Sequence, residues 1–339
     1  MTTEKKSSSL VNVNNYVSTE NILPNRGGIR FPAKSLPRIS KISSYQKNDI
    51  LISNIRPYFK KIWFSDRDGV RSNDVLAFRT KNSNILLQKY LYLVLQSDKF
   101  FDYVTLTSKG TKMPRGDKNA ILNFTFEIPS ISIQKKLINY FFVIESKIKL
   151  NNLINDNLME LAKALFHEKF SYDDEVLLSN YFLPKRGKNL LKRNVVNGYI
   201  PVVAGGLTPA AFHNKSNTES PVITISSSGA NAGYTQIWGQ KVWSSDSSYI
   251  DKTVTDNIYF WYLIIKSHQK QIFDSQTGSA QPHIYPQDIG NILIPKINEA
   301  VAKKIDKAVT PIFQKIFQNK DENKKLDNIK AVLLDRYFH

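Results

Sequence analysis

The sequence contains no cysteine among its 339 residues. This absence excludes a disulfide scaffold, a zinc or iron–sulfur site with cysteine ligands, and a cysteine nucleophile. The longest apolar runs, such as Leu91–Leu95 and Ile258–Ile265, fall far short of the roughly 20 residues of a membrane-spanning helix. The first residues, MTTEKKSSSL, lack the apolar segment of a signal peptide. The sequence therefore predicts a cytoplasmic protein without a membrane segment.

Motifs for nucleotide binding, metal binding and catalysis are also missing. The pair Gly187-Lys188 is not followed by serine or threonine, so it does not form a phosphate-binding loop. The pair His167-Glu168 begins like a zinc-protease helix, but Ser171 stands where the second histidine would be. The Asn/Asp-Pro-Pro-aromatic signature of amino-methyltransferases does not occur. We therefore predict that this chain has no catalytic residues and binds no metal or cofactor.

Acidic residues are scarce relative to basic ones. Asp and Glu number 29 against 47 Lys and Arg, which gives a formal net charge of +18. Such a surface attracts a polyanion, and nucleic acid is the commonest one. The alternative is a solvated basic surface that only confers solubility. Apolar residues make up 41% of the chain, enough for folded cores, and the length suits two domains.

An internal repeat divides the chain into two halves. Gly110–Pro114 (GTKMP) resembles Gly278–Pro282 (GSAQP) at a separation of 168 residues (278 minus 110). The same separation relates Leu165 to Leu333, near the ends of two long helical patterns. A constant offset through a turn and a long helix indicates two copies of one structural unit.

Both halves have the same predicted order of elements. A segment rich in Val, Ile, Tyr, Phe and turn residues comes first and predicts a mainly β fold. Within it, Ser72–Asp74 resembles Ser244–Asp246. A short helix is predicted near Leu87–Tyr103, with a counterpart near Asp256–Phe273. A Gly-x-x-x-Pro turn, a short strand and a long helix follow.

The two long helices carry the heptad pattern of a coiled coil. The core positions are Leu137, Phe141, Ile144, Ile148, Asn151, Asn155, Leu158, Ala162 and Leu165 in the first helix, and Ile305, Val309, Ile312, Ile316, Asn319, Asn323, Leu326, Lys330 and Leu333 in the second. If the helices pair antiparallel, the asparagines meet near the centre and set the register. The alternative is that each helix packs on its own domain and its asparagines face water. Pro311 is expected to kink the second helix or to delay its start.

Basic side chains in predicted loops are the candidate DNA-binding residues, because Lys and Arg neutralise phosphates while Arg, Asn and Gln also read base edges. In the first half they are Arg26, Arg30, Arg38, Arg56, Lys60, Lys61 and Arg71, together with Lys109, Thr111, Lys112, Arg115 and Lys118 around the turn. In the second half they are Lys185, Arg186, Lys188, Lys192, Arg193, His213 and Lys215, with Ser279, Gln281 and His283 in the turn.

The sequence resembles type I restriction–modification specificity subunits over nearly its whole length. The segment Asp49–Pro57 (DILISNIRP) is similar to a common version of the first recognition domain of that family. Gly110–Arg115 and the run from Ile128 to Asn151 are similar to the exit into its long helix. The second copy departs from the family pattern at Gly278–His283 and at Pro311.

This resemblance implies an α+β fold. Two tandem, mainly β target-recognition domains (1–130 and 171–297) would each precede a long spacer helix (131–170 and 298–339). The two helices would pair as an antiparallel coiled coil.

The resemblance also implies a function. Each recognition domain would read one half of a bipartite, asymmetric site in double-stranded DNA. The helices would dock two methyltransferase subunits, and restriction subunits would join them. S-adenosylmethionine, ATP and Mg²⁺ would be bound by those partners, and this chain would not be an enzyme. The alternatives are a stand-alone DNA methyltransferase or nuclease on a related fold, and a bridging protein whose basic surface is incidental.

Overall fold

The computed structural model describes residues 1–2, 4–7, 11–37, 41–168, 174–278 and 281–338. Contacts divide the chain into two compact units: Met1–Ile148 together with Lys324–His339, and Lys149–Asn323. This grouping by contact assigns part of each long helix to each unit. The four consecutive segments expected from the sequence therefore stay a prediction.

The first unit contains two antiparallel-rich sheets followed by short helices. One sheet has the order β1-β3-β6-β2 and the other β5-β4-β7. The strands are β1 (Lys5–Ser7), β2 (Tyr16–Val17), β3 (Lys41–Tyr45), β4 (Ile50–Ser53), β5 (Ile62–Phe64), β6 (Gly69–Arg71) and β7 (Val75–Phe78). The helices are α1 (Gln88–Gln96), α2 (Asp98–Leu106), α3 (Lys118–Leu122) and the long α4 (Ile131–Glu168), which continues into the second unit.

The second unit has the sheet orders β13-β12-β15-β9, β11-β10-β14 and β16-β8. Its strands are β8 (Glu175–Leu177), β9 (Lys185–Arg186), β10 (Ile200–Val203), β11 (Ala211–His213), β12 (Val222–Ser226), β13 (Thr235–Trp238), β14 (Trp243–Ser244), β15 (Ser247–Ile250) and β16 (Leu293–Pro295). Its helices are α5 (Ile258–Ser267), α6 (Gln269–Asp274), α7 (Pro286–Gly290) and the long α8 (Glu299–Phe338), which continues into the first unit. The α+β prediction, with mainly β segments before each long helix, is confirmed.

The central strand of each unit is buried on both faces. In β4, Ile50 and Ile52 pack into the cluster formed with α1 and α2, whereas Leu51 packs into a second cluster with Tyr45 and Trp63. Successive side chains of a strand point to opposite faces, so an uninterrupted apolar run fits a strand covered on both sides. β12 occupies the same central place between β13 and β15.

The helix predicted near Leu87–Tyr103 and its counterpart near Asp256–Phe273 are each divided into two, so the prediction of a single helix in each stretch was wrong. In the first unit, α1 and α2 are divided at Ser97, whose backbone is extended. The Ser97 hydroxyl accepts a hydrogen bond from Phe100 N at 3.2 Å, so it caps the start of α2. In the second unit, α5 and α6 are divided at His268.

The helices α4 and α8 pair antiparallel through the predicted seam. Asn151 Nδ2 donates to Asn323 Oδ1 at 2.8 Å, and Asn319 Nδ2 donates to Asn155 Oδ1 at 2.9 Å. A step of four residues forward on α4 is therefore a step of four residues back on α8. Asn151 and Asn319 are only 1% and 2% exposed, so the alternative in which the asparagines face water was wrong.

Two further polar features of the seam have structural partners. The predicted seam position Lys330 forms an ion pair with Glu145 at 2.5 Å. Asn152, which the heptad pattern leaves outside the seam, accepts from Asn323 Nδ2 at 2.9 Å. Pro311 lies within α8, so the expectation of a late start was wrong. Its side chain is on the exposed face, where water can satisfy the helix carbonyl that loses its partner.

Candidate nucleic-acid interface

A closed turn precedes α3 in the first unit and α7 in the second. In the first turn, residues 109–115, Lys109 N donates to Arg115 O at 2.8 Å and Arg115 N donates to Lys109 O at 2.9 Å. In the second turn, residues 277–283, Thr277 and His283 exchange the same two bonds at 2.9 and 2.8 Å. Gly110 and Gly278 adopt φ of 92° and 87°, values that L side chains rarely adopt. The two turns therefore have the same closure.

In each unit, one matching hydrogen bond joins the turn to the residues that follow the central strand, which is β4 in the first unit and β12 in the second. Arg56 N donates to Pro114 O at 2.8 Å, and Gly229 N donates to Pro282 O at 3.0 Å. Both donors have left-handed backbone, with φ of 50° at Arg56 and 77° at Gly229. A left-handed backbone costs an L residue roughly 1–2 kcal/mol; the first unit bears this cost at Arg56, whereas the second avoids it with Gly229.

In both units, the backbone carbonyl of an aspartate accepts a hydrogen bond from the residue directly after the central strand. Asn54 N donates to Asp74 O at 2.8 Å, and Ser227 N donates to Asp246 O at 3.2 Å. The carboxylates also bind side chains next to the turns: Arg115 lies 3.4 Å from Asp74, and Ser228 Oγ donates to Asp246. These contacts explain the resemblance between Ser72–Asp74 and Ser244–Asp246 in the sequence.

The side chains on this shared frame differ in charge. Lys109, Lys112 and Arg115 are exposed in the first turn. In the second turn, Gln281 is exposed and His283 is half-buried. Lys109 bridges to Asp117 at 2.5 Å and remains largely exposed. The hydrogen bond from Lys109, followed by those from the backbone after Asp117, holds the pKa of the Asp117 carboxyl below its usual range. Exposed cations of this kind can still reach a phosphate.

Exposed aromatic side chains next to the turns were not among the predicted site residues. Tyr58 and Phe59 lie after Arg56 in a 3₁₀ turn and are exposed, with ring centroids 4.7 Å apart. In the second unit, the exposed Tyr285 stacks on His283 at 6.4 Å between centroids. The Arg186 guanidinium lies 5.9 Å from the Tyr285 ring. The run Arg-Pro-Tyr-Phe-Lys at 56–60 is a signal that could have found the first pair.

Two predicted residues of the first unit converge on one carboxylate. Arg26 pairs with Asp98, and Lys60 Nζ lies 2.5 Å from the same oxygen. Burial raises the pKa of Asp98, but the hydrogen bonds from Lys60 and Arg26 outweigh it, so the net pKa lies below the usual range. Arg26 Nε also donates to Gln96 O at 2.5 Å. Arg26 and Lys60 therefore join the chain segments that carry them to the start of α2.

Three other predicted residues use their side chains for hydrogen bonds to backbone atoms of the fold. Arg71 is buried and donates to Val75 O at 2.5 Å and Thr2 O at 2.8 Å. His213 is buried, and its Nδ1 accepts from Val196 N at 3.0 Å. Lys61 donates to a backbone carbonyl at 2.6 Å, and burial lowers its pKa. Charge in the sequence placed them at a surface, but their internal bonds remove them from the candidate interface.

The remaining predicted residues are exposed or lie beyond the described residues. The exposed ones are Arg30, Thr111, Lys118, Lys185, Arg186, Lys188, Lys192, Arg193 and Lys215. Arg38 and Ser279 lie outside the described residues. Within the described ranges, no three His, Asp or Glu side chains are grouped closely enough to hold a metal ion. No helix in those ranges is both long enough and apolar enough to cross a membrane.

Comparison with known proteins identifies similar sequences. Residues 2–160 match the model of the type I restriction modification DNA specificity domain. The type I restriction enzyme HindI specificity subunit of Haemophilus influenzae is 31% identical over 149 residues, which are 42% of this chain and 32% of that protein. The MjaIX specificity subunit of Methanocaldococcus jannaschii is 23% identical over 296 residues, covering 74% of this chain and 68% of that subunit. The chain thus spans about a third of the H. influenzae relative in this match.

A solved structure has the same fold. The type I restriction–modification S subunit from M. genitalium superposes with a TM-score of 0.60 at 19% identity, covering 98% of this chain and 92% of that one. At this identity the match shows the fold alone, and it agrees with the sequence matches above. Residues 2–160 are therefore similar in sequence to the type I restriction modification DNA specificity domain, and the chain shares the fold of the M. genitalium S subunit.

Proposed function

We propose that this chain is the DNA-reading subunit of a type I restriction–modification complex, and that each unit reads one half of a bipartite, asymmetric site. One observation carries the proposal: two turns with the same backbone hydrogen bonds present different side chains. A shared frame would place both turns similarly on a duplex. Different side chains would then select different bases, because base edges are read by side-chain chemistry.

The chemistry of each turn suits a different contact. Lys109 and Lys112 carry point charges for phosphates, and Arg115 has the donor geometry for guanine O6 and N7. In the second turn, the Gln281 amide can pair with the N6 and N7 edge of adenine. The exposed rings of Tyr58 and Tyr285 offer apolar surface beside these groups.

The outer face of α4 supports the proposed docking of two methyltransferase subunits, with restriction subunits joining them. Large apolar side chains are exposed there although they lie outside the seam with α8: Ile133, Tyr140, Val143, Leu150, Leu153 and Leu161. An exposed apolar stripe along a helix is typical of a protein–protein interface. S-adenosylmethionine, ATP and Mg²⁺ would be bound by those partners, so this chain acts as a non-catalytic subunit.

The decisive experiment maps methylated bases genome-wide in cells with and without this chain. We expect a two-part methylated motif that disappears with the chain and returns on complementation. Exchange of the second turn's Gln281 for Glu should change or abolish one half of the motif and leave the other half intact. A methylome indifferent to the chain would contradict the proposal. Methylation or cleavage by the purified chain alone would instead support the stand-alone enzyme.

A further inference from the structure

The second unit carries an exposed basic loop, residues 188–199, between β9 and β10. Its exposed cations are Lys188, Lys192 and Arg193. Its exposed apolar side chains include Val196 and Tyr199, and Tyr199 is 94% exposed. A ring with this exposure buries little apolar surface, so it contributes little to the stability of the fold. The loop therefore combines positive charge with an aromatic group that the fold itself does not use.

The backbone of this loop is held at both ends. At its start, Lys188 N donates to Ser244 O at 2.9 Å, and the Trp243 indole donates to Lys188 O at 2.8 Å. Near its end, Val196 N donates to the ring of the buried His213 at 3.0 Å. The His213 ring stands edge-on to Trp243, with centroids 5.2 Å apart. These bonds therefore fix the position of the loop on the surface. His213, which the sequence suggested as a DNA-binding residue, instead helps to hold the loop in place.

The approach at Gly198 shows how closely the loop end packs. A Cβ at this position would lie 2.4 Å from His213 O and 2.6 Å from Asn214 Cα. Both are backbone atoms, so they cannot move aside as the end of a flexible side chain could. Glycine is therefore required for the present path of the chain into Tyr199 and β10.

We infer that loop 188–199 is a DNA-backbone grip of the second unit, in which Lys188, Lys192 and Arg193 bind phosphates and Tyr199 packs against the adjacent groove wall. This inference rests on the proposed function and deepens it: it assigns the three predicted cations to phosphates as one positioned loop and adds Tyr199. The second turn exposes no Lys or Arg among its described residues, so phosphate binding in this unit needs another source. Charge complementarity favours double-stranded DNA as the occupant, because the loop places three cations beside an aromatic ring.

The test compares Lys192→Gln/Arg193→Gln with a matched control, Lys241→Gln/Lys252→Gln. The control removes the same charge, but its two lysines already pair with Glu219 at 3.0 and 3.5 Å. Binding of the complex with its modification subunits is titrated over a range of salt concentrations. The probes are a duplex with the mapped methylation motif and a scrambled duplex.

We expect the loop variant to reduce the slope of log affinity against log salt by about 1.8, since each lost phosphate contact removes about 0.9. The loss should be similar on both duplexes, and the control should change much less. Tyr199→Ala, which changes no charge, should weaken binding with the salt slope retained. Gly198→Ala should reproduce part of that loss by displacing the loop.

A loop variant that behaves like the control, together with a neutral Tyr199→Ala, would overturn the inference. In that case the wild-type complex would still bind the mapped motif, and the proposed function would stand. If the wild-type complex shows no sequence-dependent binding, the proposed function itself fails. A loss of partner-subunit binding in the loop variant, with DNA binding unchanged, would likewise overturn the inference, because the occupant would be a protein.

Discussion

The hydrogen bond between Asn319 and Asn155 lies in the seam of the two long helices, and its removal has a measurable cost. Asn319 Nδ2 donates to Asn155 Oδ1 at 2.9 Å, and the two residues are 2% and 9% exposed. Asn319→Ala removes the donor and leaves a buried amide oxygen without it. Such a loss costs about 1–3 kcal/mol, and 1.4 kcal/mol is about a tenfold change in the folded-to-unfolded ratio.

The matched double variant should behave in the opposite way. In Asn155→Leu/Asn319→Leu, both polar groups are replaced by apolar ones beside the seam residues Leu158 and Ile316, so no group is left unsatisfied. We expect the double variant to match or exceed the wild type in stability, and the single changes to be strongly non-additive. The equivalent Asn323→Ala should cost more than Asn319→Ala, because Asn323 both accepts from Asn151 and donates to Asn152.

Urea denaturation followed by circular dichroism measures these differences, and hydrogen exchange of the α8 amides locates them in the helix pair. The wild-type chain and a variant at an exposed position of the same helix, Asn328→Ala, provide the reference. The reasoning is refuted if Asn319→Ala changes the free energy of unfolding by less than about 0.3 kcal/mol, the usual error of additivity. It is also refuted if the double variant loses as much stability as the two single variants together.

Three further changes test other parts of the structure. Gly278→Ala forces a side chain into φ of 87° and brings its Cβ to 2.9 Å from Gln281 O; we expect weaker methylation at one half-site, measured against Gly28→Ala, whose Cβ meets nothing within 4 Å. Asp98→Asn should reduce the free energy of unfolding at neutral pH. Because the pKa of Asp98 is lowered in the folded state, the advantage of the wild type is present above the ordinary Asp pKa and disappears as the pH falls through the lowered value. A difference in denaturation midpoint that does not depend on pH would contradict this. Insertion of one heptad into both long helices adds ~10 Å, or about three base pairs, and an unchanged methylated motif would contradict a spacer role.

The helix pairing could be predicted from the sequence in considerable detail. The alternating spacing of Leu137, Phe141 and Ile144 continues through Asn151 and Asn155, and the same pattern recurs in α8. This information is local, because helix periodicity decides which side chains share a face. The repeat added the partner, since two equal helices with matching asparagines satisfy each other when they run antiparallel. The late start that Pro311 was expected to cause was wrong, because the heptad pattern does not reveal that its side chain lies on the exposed face. A kink at Pro311 stays a prediction.

The candidate interface depended far more on tertiary structure. Lysines and arginines could be found in the sequence, but not which of them are occupied internally: Arg71 bonds to the backbone of Thr2, and Arg26 reaches Asp98 on α2. The exposed Tyr58 acquires its place beside the first turn through the bond from Arg56 N to Pro114 O, which joins distant parts of the chain.

Composition therefore predicted a nucleic-acid partner, and periodicity determined the repeat and the helix seam. Each of these depends on charge totals or on neighbours within a few turns of helix. The fold decided which cations and aromatic rings remain exposed and which turn each one borders. Those properties depend on strand register and on contacts between residues far apart in the chain, and a list of residue types does not contain them.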